Sequence, residues 1–230
     1  MAGARWPVPP GEILPRPFFE RPSRSVAPDL LGTVIEHETP DGVVAVRLTE
    51  VEAYHGELDP ASHAFRGRTN RNAVMYGDPG FVYVYFTYGM HFCMNLVCEP
   101  AGVASAVLLR AGEVIDGVAL AAIRRRDAPA RDLARGPARL TVTLGLNRTD
   151  NGRDACDPAS PLRIRAGHRS PPRRQIMAGP RTGVAVAADI PWRFWLDAEP
   201  TVSVYRPHVP KRRKTNPSSA SPTGTQGFQL

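Results

Sequence analysis

Residues 49–95 read TEVEAYHGELDPASHAFRGRTNRNAVMYGDPGFVYVYFTYGMHFCMN, and the rest of the chain is organised around them. The stretch opens and closes in runs whose apolar side chains recur at every second residue, the period of a strand. Between those runs it is polar, glycine-rich and proline-containing, the composition of a surface loop. A connection this long inside a compact domain is more often functional than idle. It carries the strand carboxylates Glu50 and Glu52, the histidines His55, His63 and His91, the arginines Arg66, Arg68 and Arg71, and five of the six tyrosines.

Upstream, Thr33–Glu38 and Val43–Tyr54 read as a hairpin closed by Thr39-Pro40-Asp41-Gly42. In its second strand Val44, Val46, Leu48, Glu50, Glu52 and Tyr54 share a face, so a core wall turns into a pocket wall at its end. Downstream, Phe81–Tyr88 sets Phe81, Tyr83 and Tyr85 on one face and Val82, Val84, Phe86 and Tyr88 on the other. Gly89 permits a turn, and His91–Val97 returns as the next strand. Further expected strands are Ala106–Ala111, with Arg110 near its end, Thr182–Ala187 and Trp192–Leu196. Expected helices are Ser25–Leu31 with Gly32 as C-cap, Ile115–Arg125, and Gly136–Leu144 with proline at its first position. Residues 166–179 read as a loop. A Pro-rich lead spans 1–15, one domain spans 16–205, and a basic, Pro/Ser/Thr-rich tail expected to be disordered spans 206–230.

At 230 residues with 42% hydrophobic content the chain reads as a soluble globular protein able to bury a core. It has no apolar run long enough to span a membrane, and its N-terminus lacks the apolar region of a secretory signal, so a cytoplasmic location is expected. Cys93, Cys98 and Cys156 fit no metal spacing and read as free thiols. Of the net charge of +7, five units come from Arg206, Lys211, Arg212, Arg213 and Lys214, so the basic character is local. Patches of this kind suit phosphate backbones. Both lysines, Lys211 and Lys214, lie in the tail, which removes a core lysine amine from the available chemistry. Phosphate-binding, dinucleotide-binding, zinc-protease and serine-hydrolase motifs are absent from the sequence.

The remaining candidates converge on one kind of site. A partly buried Glu52 would be a usable general base. Tyr54, His63 and Tyr85 offer flat faces to a stacked base, while Tyr83 reads as core. Tyr88, beside Gly89 at a hairpin tip, has little core to join and suits a wedge between stacked bases. Arg66, Arg68 and Arg71, with Asn70 and Asn72, could grip phosphates, and Arg110 needs a buried partner. His55 and His91 receive no role. Wedge, aromatic pocket, carboxylate and phosphate-binding arginines together suggest base flipping. A non-catalytic module that holds damaged nucleic acid, or a nucleoside hydrolase, would use part of the same set.

The text EVEAY at 50–54, DPASHAFRGRTNRNAVMYG at 59–77 and YVYFTYGMHFCMN at 83–95 resembles the alkyladenine (3-methyladenine) DNA glycosylase family. LLRA at 108–111, GPARL at 136–140, DNGRD at 150–154, GPRTGV at 179–184 and PWRFWL at 191–196 follow in the family's order. The resemblance implies an α+β fold: one mixed domain on a curved, largely antiparallel sheet with flanking helices and a protruding hairpin. It implies action on double-stranded DNA that contains damaged purines, without metal or organic cofactor, and nothing in the sequence demands more than a monomer. It makes Glu52 the base that activates water and Arg110 the group that holds both. Tyr54, His63 and Tyr85 would enclose the flipped base, with Asn95 in the pocket floor, and Tyr88 would fill the gap in the duplex.

Overall fold

A computed structural model describes residues 8–87 and 89–210. The sequence expectations for Tyr88, for the first seven residues and for the tail lysines fall outside them.

The spine of the fold is the thirteen-residue strand β2 (Gly42–Tyr54). One of its edges pairs along its length with β5 (Ala106–Asp116), from Ala45↔Asp116 to Tyr54↔Ala106. The other edge is shared: β1 (Val34–Thr39) takes Gly42–Arg47, and β8 (Arg193–Leu196) takes Glu50–Glu52. β3 (Val82–Thr87) and β4 (His91–Val97) extend the sheet beyond β5, β6 (Leu162–Arg165) extends it beyond β1, and β7 (Ile176–Gly179) pairs with β8. Among the described residues the eight strands belong to one antiparallel sheet, and the fold is of the α+β class. Register shifts in the β2–β5 ladder near Leu48 and Glu50 disrupt regular pairing where the acidic pair begins.

Period-2 alternation divides the β3–β4 hairpin between two cores. Val82, Val84, Met94 and Leu96 join the main cluster, with Val26 and Leu30 of α2 (Ser23–Leu30) and Leu140 and Leu144 of α4 (Pro137–Leu144). Tyr83 and Val97, on the opposite face, pack with Ala64, Met75, Ala104 and Ala106 in a smaller cluster, against which Tyr85 lies. Burial of a large aliphatic side chain contributes about 1.5–3 kcal/mol, so the main cluster dominates stability. The smaller one shapes a cavity wall.

Several expectations need correction. The helix expected over Ile115–Arg125 begins only at Val118, as α3 (Val118–Arg124), because β5 runs on to Asp116. Gly117 makes the break at φ 69°, and a Cβ there would lie 2.2 Å from the Val43 carbonyl oxygen. Thr182–Ala187 is not a strand. Gly183 takes φ 73° and the Thr182 N–H is given to a carboxylate rather than to a ladder. The supposed loop 166–179 ends in β7, whose four residues pair with β8. β6, and the single turn α1 (Arg16–Phe19) at the end of the Pro-rich lead, were not anticipated. Among the described residues no helix is long and apolar enough to cross a membrane.

Candidate active site

A cavity of about 520 Å³ opens beside the C-terminal end of β2. Its lining includes Glu52, Tyr54, His63, Tyr85, Asn95 and Arg110, so these six expected residues are brought together from four strands and one loop. Tyr83, Cys93, Pro137 at the start of α4, and the segment Thr182–Val186 also line it.

Both glutamates of β2 are fully buried, yet their surroundings differ. Glu50 accepts from Arg110 Nε (2.8 Å), Arg193 Nε (2.7 Å), and the Ser203 N–H (2.7 Å) and hydroxyl (3.0 Å). Burial pushes its carboxyl up, but the two guanidinium charges and these hydrogen bonds outweigh burial and hold it below its ordinary value. With four donors engaged, Glu50 has little capacity left for chemistry. Glu52 lines the cavity instead. Its Oε1 accepts the Thr182 N–H (2.7 Å) and lies 3.3 Å from Arg110 Nη1, and its Oε2 accepts the Tyr54 hydroxyl (2.8 Å). Arg110 thus bridges the two carboxylates. Burial opposes its charge, and Glu52 and Glu50 more than compensate, raising its pKa. Burial, then the adjacent Glu52, lifts the Tyr54 phenol well above its ordinary value, so it remains a donor.

The aromatic wall is ordered by mutual contact. His63 meets Tyr85 edge-on with centroids 4.5 Å apart, and Tyr83 lies 5.5 Å from Tyr85. His63 Nδ1 stands 3.2 Å from the Tyr83 hydroxyl. Desolvation and the Arg71 charge push His63 below its ordinary 6.5, which leaves the ring neutral at pH 7. Tyr83, 1% exposed, is core as expected and cavity wall as well. Asn95 donates from Nδ2 to the Tyr83 carbonyl (3.1 Å), which fixes its amide against the floor.

The arginine loop is exposed and carries its own brace. Asn72, 2% exposed, donates to the His63 and Gly67 carbonyls (3.0 Å each) and accepts the Thr69 N–H (2.6 Å). Asn72 is therefore structural rather than a phosphate grip, a correction. Arg66 faces solvent, and Arg68 lies 5.9 Å from the Tyr76 ring centroid. Arg71 lies 5.9 Å from the Tyr85 centroid and donates to the Phe86 carbonyl (3.3 Å).

Among the described residues no three His, Cys, Asp or Glu side chains are grouped to hold a metal ion. The arrangement can hold a flat, largely apolar group against tyrosines and place a carboxylate beside it. A family profile for methylpurine-DNA glycosylases matches residues 17–200. The chain belongs to that family. It is accordingly a DNA glycosylase, a hydrolase of N-glycosyl bonds. A relative from Streptomyces avermitilis is 58% identical over 205 residues, covering 88% of this chain and 96% of the relative. One from Leifsonia xyli is 54% identical over 202 residues (84% and 92% covered), and one from Frankia casuarinae 50% identical over 198 (83% and 92%). All three are provisionally named 3-methyladenine DNA glycosylases.

Sequence reading missed Asp59, Arg181, Thr182, Arg193 and Ser203. The motif GPRTGV at 179–184 holds the signal for two of them, but the alternation from Val184 to Ala187 reads as a strand. Arg193 and Ser203 reach Glu50 only through the β8 pairing and the chain beyond it.

Proposed function

We propose that this glycosylase flips alkylated purines out of duplex DNA and hydrolyses the N-glycosidic bond with a water activated by Glu52, leaving an abasic site; deaminated purines, which are neutral, would need a leaving-group acid besides. The observation that carries the proposal is the placement of Glu52. It is a buried carboxylate at an aromatic-walled cavity of about 520 Å³, roomy enough for a purine, and is oriented by Thr182, Arg110 and Tyr54.

Alkylation at N3 or N7 makes the purine cationic, so the glycosidic bond is weakened and the base departs neutral. Glu52 then serves twice: it takes a proton from the attacking water and stabilises the positive charge that develops on the sugar. Arg110 stays paired to Glu50 and fixes the angle from which Glu52 faces the sugar. Tyr54, His63 and Tyr85 stack on the extruded base, and the Asn95 amide disfavours the exocyclic amine of normal guanine. Tyr88 wedges into the gap, and Arg66, Arg68 and Arg71 grip the backbone. Strand nicking through a Schiff base requires an amine, and both lysines lie in the tail, so the enzyme is monofunctional. Residues 16–205 form the catalytic domain, the tail 206–230 is a non-specific DNA tether, and the enzyme acts as a cytoplasmic monomer.

The test is release of 3-methyladenine and hypoxanthine from duplex DNA by wild type and Glu52→Gln, with and without alkali. Base release lost in the variant, with strand breaks only after alkali, supports the reading. A fully active variant removes Glu52 from the chemistry, and breaks without alkali remove the monofunctional assignment.

A further inference from the structure

We propose that Arg181 is a positioning residue for catalysis, holding Tyr54 and, through its neighbour Thr182, Glu52 in their reactive orientations. This rests on the role proposed above for those two residues. Arg181 is 1% exposed and touches the cavity only through others. The centre of its guanidinium lies 4.7 Å from the Tyr54 ring centroid and 5.2 Å from that of Trp192. The planar edge of the group bonds both oxygens of buried Asp59, with Nη2 to Oδ1 at 2.8 Å, and Nη1 reaches the Ala53 carbonyl at 3.1 Å.

Asp59 in turn accepts the His55 N–H (3.2 Å) and the Ala61 N–H (3.1 Å). The cluster therefore joins the end of β2 carrying Tyr54, the loop leading to His63, and the strap Thr182–Val186. Three walls of the cavity meet at one guanidinium. The residue after Arg181 gives its N–H to Glu52 Oε1 at 2.7 Å, so a shift of this backbone moves both the stacking ring and the carboxylate.

Energetics favour a geometric role. A buried ion pair is a weak stabiliser compared with packed apolar side chains of equal volume. The Arg181 Nε is buried without a hydrogen-bond partner, so the pair carries a desolvation cost that packing alone would avoid. What a guanidinium supplies and an ammonium does not is a rigid plane with a bidentate edge and a stacking face. Tyr54 is oriented by its hydroxyl on Glu52 and by this face beside its ring.

Two variants test the proposal. Arg181→Lys keeps the charge beside Asp59 but loses the plane. The double variant Arg181→Met with Asp59→Asn removes both charges and leaves no orphaned carboxylate. Thermal melting, kcat for base release from methylated duplex, and KM for that duplex are measured for each. The expected result is folded protein whose kcat falls about 10–100-fold, the scale of an ångström-level misplacement. KM is expected to change by less than kcat, because the arginines assigned to the DNA backbone lie elsewhere and only the stacking of Tyr54 is disturbed. Wild-type kcat in either folded variant overturns the proposal, as does a loss of kcat that only tracks thermal stability. If the double variant does not fold, Arg181→Lys decides alone. A wild-type protein that releases no base at all would instead sink the reading on which this one rests.

Discussion

Replacing Glu50 by glutamine removes one negative charge from between two buried arginines and leaves the shape nearly unchanged. Four donors point at the wild-type carboxylate, two of them guanidinium groups at 2.7 and 2.8 Å. The amide nitrogen of glutamine must then face at least one donor; Arg110 keeps Glu52, 3.3 Å from its Nη1, as a counter-charge, while the ion pair of Arg193 with Glu50 is lost. Breaking a buried pair by removing one partner costs about 3–5 kcal/mol. Against a total stability of roughly 5–15 kcal/mol this is a large share. At 2–4 °C per kcal/mol for a domain of this size, the melting midpoint falls by about 6–20 °C.

The pH dependence gives a second, independent reading. Glu50 has its folded-state pKa held below the ordinary 4.5, so it binds fewer protons folded than unfolded. Its contribution is complete above that value and is lost as pH falls through the lower folded-state one. The stability gap between wild type and Glu50→Gln is therefore widest near neutral pH and closes as the medium is acidified below 4.5. Urea unfolding followed at pH 7, 5, 4 and 3 measures it. A gap under about 1 kcal/mol at pH 7, the scale of an exposed pair, would refute the reasoning. So would a gap that widens with acid.

Tyr54→Phe deletes the hydroxyl donated to Glu52 at 2.8 Å; base release slows roughly 10-fold or more, since that is what about 1.4 kcal/mol of lost orientation gives, with single-turnover kinetics as the measurement. Because the Tyr54 phenol is held well above its ordinary 10.0, wild type shows no loss of activity from its ionisation up to that pH, which a pH–rate profile checks. Combined Arg66→Ala and Arg68→Ala weakens binding to damaged and undamaged duplex alike and lowers the log–log salt slope by about 2, read from titrations at several salt concentrations. Gly56→Ala puts a methyl group 1.9 Å from the Ala104 carbonyl oxygen at φ 54°, and the folded protein loses upward of ~2 kcal/mol in thermal melts.

The strands of the central hairpins are legible from the alternation of their apolar residues. VYVYFT alternates between two cores, and its period survives intact in the burial of Val82, Tyr83 and Val84. It failed where a strand end is decided by one backbone torsion. Nothing in the apolar pattern of Ile115–Arg125 separates a strand ending at Asp116 from a longer helix; the left-handed Gly117 does. Glu52 and Tyr54 of β2 and Tyr85 of β3 are legible because period-2 spacing aligns them on faces, whereas Asn95 of β4 comes only with the family resemblance. Arg181 and Arg193 are not legible. Their partners Asp59 and Glu50 lie more than a hundred residues away in the chain, joined only after β8 pairs with β2. Asn72 misled for a different reason, since an asparagine in a polar loop reads alike whether it faces solvent or staples the backbone.

That β2 is flanked by three other strands has a consequence for motion. At Glu50–Glu52 it has β5 on one side and β8 on the other, so its amides exchange with solvent only through large-scale opening. Residues 183–186 of the strap and the arginine loop belong to no strand, and their amides exchange orders of magnitude sooner under native conditions. Motion is thus left to the arginine loop and the outer part of the strap, while Thr182, whose N–H holds Glu52 Oε1, belongs to the fixed part. The hydrogen-exchange map of this enzyme would draw the boundary between its fixed and its moving parts along the rim of the cavity.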